Sequence, residues 1–79
     1  MKTKRASTVA PTSQLIDAVM DRYVTWREES AAVEAAYHGW RSAARDEEAV
    51  AFDDYFAALD REERAASEYR RLVELAEAA

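Results

Sequence analysis

His38 is the one histidine in the chain, and it stands four residues after Glu34. Four residues is close to one helical turn, so imidazole and carboxylate share a face. Asp54 approaches that face if the chain doubles back. Such donors hold metal in carboxylate-bridged helical bundles, but those sites need a Glu-x-x-His pair projecting inward, and no such pair occurs here. Glu28-Glu29, Asp53-Asp54 and Glu62-Glu63 are adjacent carboxylates. Helix neighbours point roughly 100° apart, too far to share a proton or an ion. There is no cysteine, no glycine-rich phosphate loop, and no convergent Ser, His and Asp set. The expectation is therefore no catalytic residue, no metal site, no cofactor and no enzyme.

The remaining chemistry is aromatic. Tyr23, Trp26, Tyr37 and Trp40 in the first half, with Phe52, Tyr55, Phe56 and Tyr69 in the second, are two runs of rings. They lie within a stricter pattern: Val19, Tyr23, Trp26, Ser30, Val33, Tyr37 and Trp40 follow each other at alternating steps of four and three. Phe52, Tyr55, Leu59, Glu62, Ala66, Tyr69, Val73 and Ala76 continue it. That period places one narrow apolar seam along each of two helices, the pattern of a coiled coil. The triplet Val, Tyr, Trp occurs twice, two heptads apart.

The two runs mirror each other about a turn near Arg45-Asp46. Trp40 then faces Phe52, Tyr37 faces Tyr55, Val33 faces Leu59, Ser30 faces Glu62, Trp26 faces Ala66, Tyr23 faces Tyr69, and Val19 faces Val73. The predicted fold is all-α: an antiparallel two-helix hairpin, with helix one over 13–44, the turn near 45–46, and helix two over 47–77. One Gly and one Pro in 79 residues suit nearly continuous helix. Pro11 with Thr12 or Ser13 is a good helix start, and Asp46 is a candidate cap for helix two. Gly39 reads either as a C-cap or as an interior position. Continuation is preferred, because Trp40 and Ala44 hold the heptad phase.

Two flanks border the seam. One mixes charge and bulk: Met20, Arg27, Glu34, Arg41, Phe56, Glu63 and Arg70, with Arg27 placed to reach Glu63. The other is small: Ala32, Ala36, Gly39 and Ala43 beside Ala51, Ala58 and Ala65, a possible dimer face that lets another helix come close. Two helices cannot cover two Trp, two Phe and four Tyr, and small scaffolds without disulfide or metal usually associate. The predicted assembly is a homodimeric four-helix bundle, or its equivalent with another helical protein. The Ser30–Glu62 layer is the polar break in the seam. It is either a register-fixing layer or a solvated gap, with Glu62 turning to Arg27, Ser30 or water.

Charge is uneven. The net value is -5, yet Lys2, Lys4 and Arg5 take three of the eleven cations, leaving eight against sixteen acids, or -8, on the rest. That surface repels phosphate backbones, which argues against nucleic acid as a partner of the body. Residues 1–12 show no period and read as a disordered basic arm. No apolar run is long enough for a membrane span, and no apolar segment follows the first basic residues as in a Sec signal peptide. The cytoplasm is the default location.

Trp40-Arg41-Ser42-Ala43-Ala44, just before the turn, resembles the WXG100 (ESAT-6-like) hairpins, with Ser42 where that family's Trp-x-Gly has glycine. Phe52 and Tyr55 lie where the family carries aromatics on its second helix. The resemblance implies pairing into a four-helix bundle and export without a Sec signal peptide, with Trp40 at the tip. Three functions follow as expectations: a non-enzymatic assembly module, a small acidic inhibitor or regulator occupying a basic protein surface, and an exported hairpin.

Overall fold

A computed structural model of the chain describes residues 12–79. Helix α1 spans Ser13–Arg41, a single 3-10 turn covers Arg45–Glu47, and helix α2 spans Glu48–Ala78. The two long helices pack on each other as an antiparallel hairpin, and no strand occurs among the described residues. The expected basic arm falls on residues outside the described ones, except Thr12. Thr12 is the N-cap of α1: extended at φ -75° and ψ 160°, it accepts from the Leu15 N–H through its hydroxyl at 3.1 Å. This satisfies one of the free N–H groups that every helix start leaves.

The end of α1 differs from the expectation. Gly39 is interior, as preferred, but the helix stops at Arg41 rather than running to 44. Ser42 explains the stop. It sits at φ -106° and ψ 6°, and its hydroxyl donates to the His38 carbonyl at 2.8 Å. A serine that hydrogen-bonds back to a carbonyl one turn earlier competes with helix propagation. Ala44 then turns extended at φ -67° and ψ 155°, and the Arg45–Glu47 turn leads into α2 at Glu48 rather than 47. Asp46 does not cap α2: Glu47 is the N-cap position, and no side chain bonds there. The 3-10 turn uses the backbone instead, with the Glu47 N–H donating to the Ala44 carbonyl at 2.9 Å. The connection spends six residues, 42–47, where two were expected.

The mirror register is as read from the spacing. Tyr37 and Tyr55 lie 5.6 Å apart by ring centroids, Tyr23 and Tyr69 5.6 Å, and Trp40 and Phe52 5.1 Å. Among the described residues Ala58 alone is fully buried, at 1% exposure. A two-layer helical pair has one seam and no second side to close it. The apolar area removed from water is therefore modest, and with it the stabilisation at roughly 25 cal/mol per Å².

Candidate functional site: an aromatic seam with one open layer

The seam is built from two nearly identical aromatic triads. In the first, Tyr23 meets Trp26 edge-on (6.0 Å, 71°), Trp26 stacks on Tyr69 (5.5 Å, 14°), and Tyr23 lies tilted against Tyr69 (5.6 Å, 58°). In the second, Tyr37 meets Trp40 edge-on (6.2 Å, 70°), Trp40 stacks on Tyr55 (5.6 Å, 13°), and Tyr37 is tilted against Tyr55 (5.6 Å, 57°). A shift of two heptads along both helices carries one triad onto the other, about 21 Å at 1.5 Å per residue. Offset stacked and edge-to-face rings place the positive edge of one ring against the negative face of another, and each such pair contributes about 0.5–1.5 kcal/mol beyond area burial.

Between the triads lies the polar layer. Trp26 Nε1–H donates to Glu62 Oε2 at 2.8 Å, and the Ser30 hydroxyl donates to the same oxygen at 3.4 Å. The half-buried carboxylate is thus held by two donors of α1. Ser30 was among the expected partners of Glu62, but Arg27 is not used, and Trp26 was missed. The signal was available, because an indole N–H that leaves water usually takes a partner, and Glu62 is the nearest acceptor in the register.

The flanks divide differently from the sequence picture. The small residues serve the hairpin itself. Ala58 is buried between the helices, so this member of the expected dimer face is unavailable to a partner, while Ala32, Ala36, Ala43, Ala51 and Ala65 are half-buried. Only Gly39 is fully on the surface, beside Ala43 and Ala51 in a shallow depression of about 520 Å³ at the turn. The expected Arg27–Glu63 pair does not form. The ion pair that crosses the helices among the described residues is Arg61 with Glu29 at 3.3 Å, on the small flank. Methyl-sized neighbours bring the helix surfaces close there, so a long Arg can span the gap.

Of the expected core residues, Val19, Trp26, Val33, Tyr37, Trp40, Tyr55, Leu59, Tyr69 and Val73 are half-buried. Tyr23 and Phe52 are more open, at 40% and 39%. With them the bulky flank leaves Met20 at 56% and Phe56 at 63% exposed, the latter stacked on Phe52 at 5.4 Å. His38 is exposed and meets Tyr37 edge-on at 5.6 Å. No group of three His, Cys, Asp or Glu side chains among the described residues is arranged to hold a metal ion. Among the same residues, no helix is long and apolar enough to cross a membrane. No family model matches the chain, and no curated protein or solved structure is significantly similar to it.

Proposed function

We propose that the hairpin is a non-enzymatic assembly module that pairs through its aromatic, bulky flank, with itself in the first instance. The observation that carries this reading is the exposure of large apolar side chains on a fold whose described residues include a single fully buried one. Met20, Tyr23, Phe52 and Phe56 stand on or beside one side of the seam. Exposed apolar side chains interspersed with Arg27, Glu34, Glu63 and Arg70 on one flank are a surface that helix-on-helix association covers. The arrangement also agrees with the seam's polar layer, which ties Trp26 to Glu62 and fixes the register of the two helices before a partner arrives.

Melting followed by circular dichroism across a wide concentration range tests the proposal. A dimer melts at higher temperature as the chain is concentrated, because association is linked to folding by mass action. A melting point independent of concentration contradicts it. Salt separates this reading from capture of a basic surface by the acidic body. Apolar pairing persists at about 0.5 M salt, whereas charge-driven capture weakens steeply.

A further inference from the structure

The two aromatic layers are repeats of one another, but they are not equally filled. In the layer near the turn, Phe52 packs on Trp40 at 5.1 Å and Phe56 stacks on Phe52 at 5.4 Å. Two heptads along α2 the corresponding residues are Ala66 and Arg70. At that place the surface opens into a groove of about 390 Å³, lined by Trp26, Ala66 and Tyr69 together with the charged Arg70, Glu74 and Glu77. The same two-heptad shift carries Phe56, Leu59 and Asp60, which line a second hollow of about 590 Å³ on α2 alone, onto Arg70, Val73 and Glu74. The groove at Trp26 is therefore the aromatic layer of the hairpin with its phenylalanine missing.

We propose that this groove is filled by Phe56 of a second copy of the chain. The chain carries both halves of the contact. It has an aromatic-lined slot at Trp26 and Ala66, and an excess aromatic, Phe56, 63% exposed and ten residues before Ala66 on α2. An antiparallel twofold arrangement places Phe56 of each copy at the groove of the other, so the two contacts form together and the assembly closes at a dimer. The internal repeat supplies the template, since a Phe ring already packs on Trp40 in the equivalent layer. The rim carries one cation, Arg70, beside the carboxylates Glu74 and Glu77. Arg70, whose contact among the described residues is a hydrogen bond to Ser67 at 3.3 Å, borders the incoming ring as a cation–π partner. It also meets the carboxylates Asp53 and Asp60, which flank Phe56 on its own helix. The acidic bodies repel each other at long range, so added salt tightens the dimer.

This inference rests on the assembly reading above, and complementation separates the two. Phe56→Ala removes the ring and keeps the groove. Ala66→Phe fills the groove from within and keeps the ring. In sedimentation equilibrium each variant alone weakens association about thirty-fold or more, as loss of a buried aromatic anchor does at interfaces. Mixed in equal amounts, they recover part of it, because the mixed pair retains one Phe56-in-groove contact. Circular dichroism checks the fold of both, and Phe56→Ala, at an exposed site, stands alone if Ala66→Phe does not fold. A parent that dimerises together with variants that dimerise equally well overturns the groove assignment and leaves self-assembly standing. A parent that stays monomeric at all concentrations overturns both.

Discussion

The indole N–H of Trp26 and the Oε2 atom of Glu62 lie 2.8 Å apart across the hairpin, joined by a hydrogen bond to a charged acceptor. One side chain of the seam thereby does two things: its ring stacks on Tyr69, and its edge pins α2 in register. Hydrogen bonds to charged groups contribute about 1.5–3 kcal/mol. Trp26→Phe keeps most of the apolar bulk and deletes the donor, whereas Glu62→Gln keeps an acceptor and removes the charge. Urea unfolding of both single variants and the double variant should give a coupling energy of about 1 kcal/mol or more. Additive effects contradict the role assigned to this pair.

Truncating Trp26 to Ala removes the stack and the hydrogen bond together. The expected loss is about 3 kcal/mol, at the lower end for a large aromatic because Trp26 is only half-buried. In a hairpin with so little core, that is enough to unfold it or separate the copies. Unchanged melting of Trp26→Ala contradicts the seam as drawn.

Gly39 offers a substitution in the other direction. It lies inside α1 with no positive φ, and a Cβ built there meets nothing within 4 Å. Gly39→Ala is therefore expected to stabilise the chain by about 1 kcal/mol through helix propensity. In a domain this small that raises the melting temperature by about 4–8 °C. Destabilisation, or weaker association, would place a close-packed partner helix on the small flank at the turn and count against pairing on the aromatic side.

Two further variants separate caps from surface ion pairs. Thr12→Ala removes the hydroxyl that accepts from the Leu15 N–H, at an expected cost of about 1 kcal/mol. Arg61→Ala breaks the Arg61–Glu29 pair, whose side chains are 48% and 28% exposed. Solvent screening limits that effect to about 0.5 kcal/mol, and it shrinks with salt. Urea unfolding of the two variants ranks them, and a larger loss for Arg61→Ala than for Thr12→Ala would contradict this order.

Much of the fold was legible because heptad spacing fixes which faces meet, and mirror symmetry fixes their register. The pairs Tyr37–Tyr55, Tyr23–Tyr69, Trp40–Phe52 and Ser30–Glu62 follow from spacing alone. What spacing does not encode is local competition for hydrogen bonds and the sideways offset of the seam. The end of α1 at Arg41 depends on the Ser42 hydroxyl choosing the His38 carbonyl over water. The burial of Ala58 depends on the helices settling toward their small flank, which turns part of an expected outer face into an inner one. That offset also chose Arg61–Glu29 over Arg27–Glu63. The groove at Trp26 was hidden for a further reason. It is visible only when the two aromatic layers are compared side by side and Ala66 is found where the other layer has Phe52.

The most direct test of the central claim, self-assembly through the aromatic flank, is the mass of the full chain in solution. It is read by sedimentation or light scattering over a dilution series, at low salt and at about 0.5 M. The expected result is a species of about 18 kDa, twice the 8.9 kDa chain, that survives high salt and dissociates only on dilution. A folded species of one chain mass at every concentration and both salts would contradict it.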